Sequence, residues 1–387
     1  MKRVLIVQNH CVGFGGDDVV VANESALLAS KGHEVSLWTL RNDELKGMVR
    51  VFDAAWHLAY NRAARDELAR HIAGFKPDVM HCHNLFPRIT LSAYDAAAQC
   101  GVPVVQTLHD FRSVCCANAF LYRDGRACER CVAGSTYWGA WFRCYRGSRL
   151  GSLIVAHALD VHRRAGTLQR GVQRFIALSQ ASRRKFIEAG LPSERVVVKP
   201  NFTADPGRPP QLARDGALFV GRLSPEKGIT TLAEAWKHIG YPLVVLGTGP
   251  SAQALQHMAT GPATLHGHRS AAEVALAMRL ARFLVMPSLG IEGFPMVIAE
   301  AFANGLPIVA SRIGTLAEAI DDGVTGLHFR TGDAADLARK VEWAIAHPER
   351  MAEMGNAARK VYEQRYSAEP NYQQMMRIYE QAEAGVS

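Results

Sequence analysis

Short, nearly continuous apolar runs recur along the chain, with longer stretches of helical periodicity between them. In the first half the runs are Val4–Gln8, Glu34–Leu40, Asp78–His83, Pro103–His109, Arg174–Ser179 and Arg195–Lys199. Runs of this kind are typical of strands covered on both faces. Amphipathic stretches lie between several of them, at about Asp18–Lys31, Asn61–Phe75, Arg88–Cys100 and Ser148–Arg164. That alternation predicts an α/β chain with a doubly wound parallel sheet. The second half repeats the plan, with strands expected at Ala217–Val220, Pro242–Leu246, Ala263–Leu265, Phe283–Met286, Ile308–Ala310 and Gly326–Phe329. No sequence repeat links the halves, so the symmetry is architectural.

A Pro/Gly-rich stretch, Pro200 to Pro210, separates them and reads as a linker. The expected division is residues 1–200, a linker at 201–213, a second domain at 214–367, and a last helix at about Ala368–Glu383. Two such domains facing each other leave a cleft, a common place for a ligand. The 387 residues suffice for two domains. With 48% hydrophobic and 21% charged residues, a folded chain is expected rather than a disordered one. No apolar run approaches the roughly 20 residues of a membrane span. The stretch Met1–Gln8 reads as a first strand rather than a signal peptide, and a cytoplasmic location is the default expectation.

The most informative stretch is residues 287–305. A strand-like run ends at Met286, the chain turns at Pro287 and Ser288, and a helix begins near Pro295 or Met296. Gly305 ends it. A helix N-terminus at the end of a strand is an anion site. Glu292 stands in the loop and Glu300 about one turn into the helix. Ionised carboxylates only accept hydrogen bonds, which suits the paired hydroxyls of a sugar or ribose. A phosphate site between two diol sites describes a nucleotide sugar.

The segment Glu292-Gly-Phe-Pro-(x4)-Glu300, continued through Ala301–Ser311, resembles the Glu-x7-Glu motif of the retaining glycosyltransferases of family 4, which have the GT-B fold. The resemblance covers essentially the whole chain, with most specificity at 221–228 and 287–311. It implies two Rossmann-like domains, with the last helix crossing back onto the first. It also implies that Glu292 and the Gly293–Pro295 backbone, with Met296 and Val297, hold the donor sugar and phosphates. Glu300 would hold the ribose.

In Gly221–Gly228, Arg222 leaves a strand and Lys227 is expected to open the next helix. A guanidinium fork and an ammonium suit a diphosphate leaving group; the resemblance implies that such cations stand in place of a catalytic metal. His109 is expected to touch the transferred sugar from the first domain. Gly15 and Gly16, in a Gly13-Phe-Gly-Gly turn that is not a dinucleotide fingerprint, fall where the family covers the donor phosphates. Asp17 and Asp18 are candidate caps for the helix that follows. Gly267 and Arg269 fall in the family's base-binding loop. Side chains alternate along a strand, so His81 and His83 share a face with Cys82 opposite, which disfavours a metal site there; with Asn84 they are given an acceptor-side or packing role.

The implied reaction moves a sugar, with retention, from a UDP- or GDP-linked donor to a hydroxyl acceptor. The product would belong to polysaccharide or glycolipid assembly. A GT-B epimerase and a non-catalytic sugar-nucleotide binder remain the alternatives.

Two features lie outside that scheme. Cys115, Cys128, Cys131 and Cys144 have the spacing Cys-(x12)-Cys-(x2)-Cys-(x12)-Cys, within a loop expected at 112–147. This leaves open a structural zinc site, free thiols or redox pairing, with Cys116 as a substitute ligand. Net charge is +8, and between Phe111 and Lys185 fourteen Arg or Lys face three acids. Such a surface suits anionic lipid head groups or a polyanion, with a plain solvated basic face as the alternative; the lipid reading brings a lipid-linked acceptor and peripheral contact with the inner face of the cell membrane. No nucleic-acid module is present.

Overall fold

The structure is a computed structural model that describes residues 1–10, 15–41, 57–117, 120–207, 214–253, 255 and 263–385. Gly13 and Phe14 lie outside the described residues, as do the linker positions 208–213.

The chain divides into two compact units. The first comprises Met1–Ala119, Glu129–Pro200 and Glu369–Ser387; the second comprises Phe120–Cys128 and Asn201–Ala368. The strands of the first unit's sheet are β1 (Arg3–His10), β2 (Glu34–Arg41), β3 (Val79–Cys82) and β4 (Val104–Leu108). A two-stranded hairpin follows in the second unit, β5 (Tyr122–Arg123) and β6 (Arg126–Ala127). The first sheet is completed by β7 (Arg174–Ala177) and β8 (Val196–Val198), in the order β2-β1-β3-β4-β7-β8. All its pairings are parallel. Val4 to Val7 are fully buried, which is why their apolar run is unbroken; Val79 to Cys82 are equally buried, although His81 interrupts that run.

The principal helices of this unit are α1 (Gly16–Ser30), α2 (Arg62–Phe75), α3 (Ser92–Gln99), the short α4 (Trp138–Trp141), α5 (Arg149–Ala165), α6 (Thr167–Gly171) and α7 (Gln180–Glu188). α1 starts at Gly16 with Gly15 as its cap residue, and Asp18 Oδ2 accepts from the Gly15 amide at 3.1 Å. α3 begins four residues later than the pattern predicts. Residues 86–89 form turns, and Thr90 takes a left-handed conformation with φ 62°. Its hydroxyl oxygen accepts from the amides of Asn61 and Ser92, which no periodicity could signal.

The second unit repeats the design with β9 (Ala217–Val220), β10 (Leu243–Leu246), β11 (Ala263–Gly267), β12 (Phe283–Met286), β13 (Ile308–Ser311) and β14 (Gly326–Phe329). They are ordered β11-β10-β9-β12-β13-β14, again all parallel. Its helices are α8 (Ile229–Trp236), α9 (Ala271–Leu280), α10 (Met296–Ala303), α11 (Gly314–Ala319), α12 (Ala334–Ala346) and α13 (Pro348–Val361). Phe219, Leu232, Trp236, Val285 and Val341 are among the side chains that fill its core.

The last helix, α14 (Ala368–Glu383), has the predicted limits and joins the first unit. Lys2 pairs with Glu383 at 2.7 Å, and His33 bonds the Tyr372 hydroxyl at 2.9 Å.

One glycine in the second unit has no alternative. Gly228 sits at φ 72°, and a Cβ there would lie 1.8 Å from the Pro287 carbonyl oxygen. Both the left-handed conformation and the close approach of the two loops require it. Gly228→Ala is expected to destabilise the protein by about 2 kcal/mol or more, read as a fall in denaturant midpoint at unchanged slope. Unchanged stability would show that the two loops are not packed this closely.

Candidate active site

In the second unit the chain leaves β12 at Pro287, passes through the Glu292 loop and enters α10. Thr315 Oγ1 lies 2.8 Å from the Glu292 carbonyl and 2.7 Å from that of Gly293, and the Asn201 amide donates to the Phe294 carbonyl at 3.1 Å. Pro295, in extended conformation, is the cap residue, so Met296 opens the helix. The Met296 and Val297 amides have no intrahelical acceptor and, with the helix dipole, favour an anion.

Glu292 is 8% exposed. Its Oε2 meets the Lys227 ammonium at 2.5 Å, and its Oε1 accepts from Ser288 Oγ at 2.7 Å. The sequence placed Lys227 at the opening of a helix; instead it ends a 3-10 turn, Pro225–Lys227, and Gly228 then leads into α8. The Phe120 ring lies 5.1 Å from the same ammonium. Arg222 is exposed just after β9. An ammonium and a carboxylate from residues 65 apart in sequence are thus paired just ahead of a helix N-terminus.

Glu300, one turn into α10, is half-buried; its carbonyl accepts from the Asn304 side chain at 2.9 Å, while no hydrogen bond to its carboxylate is found among the described residues. Burial pushes its carboxyl group above the usual range. Gly267 ends β11 in a left-handed conformation and its carbonyl accepts from the Gly247 amide at 2.7 Å. Arg269 is exposed and pairs with Glu273 of α9 at 3.2 Å.

In the first unit, His109 follows β4 and is partly exposed. Its Nε2 lies 2.7 Å from His83 Nδ1. Asn84 donates to Asp17 at 3.2 Å. Burial works against the Asp17 carboxylate, yet the His109 ring and the Asn84 amide hold it below its ordinary range. His109 itself is held low by burial, despite Asp17, Glu24 and Asp110 nearby. A cavity of about 160 Å³ opens beside these groups, walled by Leu85, Leu108, Val155, Leu159 and Leu191.

The acceptor-side expectation fails for His81. It is fully buried, with Nδ1 at 2.8 Å from the Tyr379 hydroxyl and Nε2 at 2.8 Å from Thr107 Oγ1. His83 is 1% exposed and touches His109 rather than solvent. Both face Glu24, which the sequence reading missed, and which pairs with Lys199 at 2.7 Å. A glutamate in mid-helix and a lysine at a strand end, 175 residues apart, carry no shared sequence signal.

Among the described residues, Glu24, His81 and His83 are the one set of three ligand-type side chains whose ligand atoms lie within 4.8 Å of one another. The Lys199 ammonium already supplies the positive charge there.

The expected four-cysteine zinc set does not assemble. A tetrahedral zinc with bonds of about 2.3 Å draws its sulfurs to roughly 4 Å of one another. No three of Cys115, Cys128, Cys131 and Cys144 come within 4.8 Å, and Cys128 belongs to the second unit. Instead the Cys116 thiol donates to the Thr136 carbonyl at 3.4 Å, and the Cys131 thiol faces the same oxygen at 4.0 Å. The neighbouring Cys115 and Cys116 thiols, with the Arg163 guanidinium, hold the Cys131 thiol below its ordinary range, and those two are pushed up. The regular spacing did not register that Cys128, at the end of the β5–β6 segment, belongs to a different unit from the other three.

Two parallel-sheet α/β units of this design define the GT-B fold. The structure of HepE from Anabaena in complex with UDP and glucose superposes with a TM-score of 0.68, covering 97% of this chain and 99% of that one at 18% identity. Sucrose-phosphate synthase from Thermosynechococcus elongatus superposes with a TM-score of 0.73, covering 99% and 100% at 17% identity. At such identities the likeness establishes the fold alone.

The family comes from sequence. Residues 15–201 match the glycosyl transferase 4-like domain, and residues 211–361 match the glycosyl transferases group 1. The chain therefore belongs with the glycosyltransferases that join these two domains. The glycosyltransferase MJ1178 of Methanocaldococcus jannaschii is 32% identical over 168 residues, which is 42% of this chain and 47% of that protein. The phosphatidyl-myo-inositol mannosyltransferase of Mycobacterium leprae is 33% identical over 220 residues, 53% and 58% respectively. These matches span about half of each relative. The glycogen synthase of Mycobacterium tuberculosis is 27% identical across 92% of this chain and 89% of its own length.

Glu300 yields a prediction independent of any ligand. Its folded-state pKa is raised, so the ionised form opposes folding once the pH exceeds the unfolded value of about 4.3. Glu300→Gln is therefore expected to raise the melting temperature at pH 7 by roughly 1–3 °C, and the difference should close as the pH falls to about 4. A variant less stable than the parent at pH 7 would contradict the burial argument.

Proposed function

We propose that the protein transfers a sugar from a nucleoside diphosphate sugar to a hydroxyl acceptor with retention of anomeric configuration. The observation that carries this reading is the Lys227–Glu292 pair at the head of α10. A diphosphate would take Lys227, Arg222 and the first-turn amides, and its growing charge as leaving group would be met by groups already in place. Glu292 would accept from the sugar hydroxyls and Glu300 from the ribose. His109 would touch the sugar. The solved relative HepE binds UDP-glucose, which favours a nucleotide-linked donor.

The test is a thermal-shift screen over UDP, GDP, ADP and their glucose, mannose and N-acetylglucosamine conjugates, followed by product analysis of anomeric configuration. One nucleotide should raise the melting temperature. Lys227→Ala should abolish most of that shift and lower kcat/KM about 100-fold or more. Indifference to every nucleotide, or an inverted product, would refute the proposal.

The acceptor is proposed to be an amphiphile made at an anionic membrane, in polysaccharide or glycolipid assembly. The supporting surface lies on α4, α5 and the turn between them. Trp141 is 72% exposed, Leu150 65% and Leu153 46%, beside the exposed Arg143, Arg146 and Arg149. Apolar side chains among arginines suit a lipid interface, where each basic residue adds about 1 kcal/mol. Among the described residues no helix is long and apolar enough to cross a membrane, so this contact would be peripheral. The protein should sediment with phosphatidylglycerol vesicles and not with phosphatidylcholine ones, and the Trp141→Ala, Leu150→Ser, Arg146→Gln variant should stay in the supernatant. Equal sedimentation of variant and parent would remove this surface from consideration.

A further inference from the structure

Behind His109 lies a line of buried polar groups that donor binding does not use. His109 Nε2 is 2.7 Å from His83 Nδ1. On the far side of the His83 ring, Nε2 faces Glu24 Oε2 at 3.6 Å. Glu24 is 1% exposed and His83 likewise, and neither of these two facing atoms has a hydrogen-bond partner among the described residues. The other Glu24 oxygen is taken by Lys199 at 2.7 Å. Lys199 in turn donates to Asn371, whose amide donates to the Pro200 carbonyl. Glu24 therefore stays ionised: burial opposes this, but Lys199 outweighs it.

A fixed carboxylate decides where the protons go. Each neutral imidazole carries one N–H and one bare nitrogen. If His83 carried its proton on Nδ1, its bare Nε2 lone pair would confront the Glu24 carboxylate in a dry interior. That is two acceptors facing each other with no donor between them. With the proton on Nε2 the pair attracts, and Nδ1 becomes an acceptor. The short contact to His109 then requires the proton to sit on His109 Nε2. A doubly protonated His83 is opposed by its burial and by His81, His109 and Lys199 around it. His81 cannot take over the role, because Tyr379 and Thr107 hold both of its ring nitrogens.

We infer that Glu24 and His83 are positioning residues that lock His109 as its Nε2–H tautomer. His109 then presents a bare Nδ1 that accepts a hydrogen bond from a hydroxyl of the transferred sugar. This rests on the reading that His109 touches that sugar. The two claims separate, because the tautomer exists without any ligand. Nδ1 of His109 has no protein partner among the described residues, so it is available for that bond. The arrangement resembles a carboxylate orienting a catalytic imidazole, with a second imidazole inserted between the two.

The decisive measurement is a long-range nitrogen–proton NMR spectrum of the full chain labelled with 15N-histidine, with His109 assigned by loss of its signals in His109→Ala. His109 should show a protonated Nε2 and an unprotonated Nδ1, and the opposite pattern overturns the inference. A carboxamide can donate as well as accept, so Glu24→Gln should leave His109 in a mixture of tautomers. Because that change strands Lys199, the charge-balanced Glu24→Gln, Lys199→Met variant is measured beside it. A tautomer unchanged in whichever variant folds counts against Glu24.

Release of UDP from UDP-glucose and of GDP from GDP-mannose supplies the functional readout. The variant should lower kcat about tenfold, the scale of one lost hydrogen bond, with little change in KM. It should cost nothing further in a His109→Ala background. Additive losses would mean that Glu24 serves stability alone. A His109→Ala enzyme as fast as the parent, with the tautomer as expected, would instead remove the sugar contact and leave the orientation in place.

Discussion

Along a strand buried on both faces, polar side chains gather toward the carboxyl end. That constraint organises both units. In the first, Val4 to Val7 admit no polar side chain, and Gln8 and Asn9 appear as β1 ends. His83 and Asn84 follow β3, and His109 and Asp110 follow β4. In the second, Gly221 and Arg222 follow β9, Gly247 follows β10, and the Glu292 loop follows β12. All these strands run in parallel, so within each unit the functional candidates gather at one edge of the sheet. Helix N-termini open at the same edge, which adds backbone donors without adding any charged residue.

The same constraint explains how much the sequence discloses. Burial on both faces gives the inner strands their apolar runs, and the half-exposed edge strands β2 and β11 still carry enough apolar positions that all twelve sheet strands were legible to within about two residues. The helix at residues 296–303 was legible from its Pro and Gly punctuation. Alternation along β3 correctly set His81 and His83 on one face with Cys82 opposite. It could not say what lay across from that face. Glu24 and Lys199 meet there only because α1 and the end of β8 cover the same sheet. Acceptor contact was a reasonable expectation for two histidines at a strand end, but the interior claimed His81.

The cysteines show a different failure. Equal spacings on either side of Cys128-x2-Cys131 suggested a closed metal knuckle. Spacing measures reach along the chain, and the chain here divides between two folding units just after Cys128. Cys116, adjacent to Cys115, approaches Cys131 because Gly139 leaves room for its sulfur, where a Cβ would lie 1.7 Å away. Packing against a glycine is invisible to a motif built on thiol intervals. Likewise the late start of α3 depends on a left-handed Thr90, a conformation its residue type does not advertise.

The Lys227–Glu292 pair links this architecture to the proposed chemistry. Both side chains are largely buried, at 17% and 8% exposure, so each charge is met at close range by the other. An arriving diphosphate competes for the ammonium with more charge than the carboxylate has. On the proposed reading Glu292 must then find new donors, and the sugar hydroxyls are the groups that can supply them. A nucleotide lacking the sugar would leave that carboxylate beside phosphate with only Ser288 to satisfy it. Discrimination for the intact donor over its spent product would thus follow from one ion pair changing partners, and release of the nucleotide after transfer would be favoured by the pair closing again.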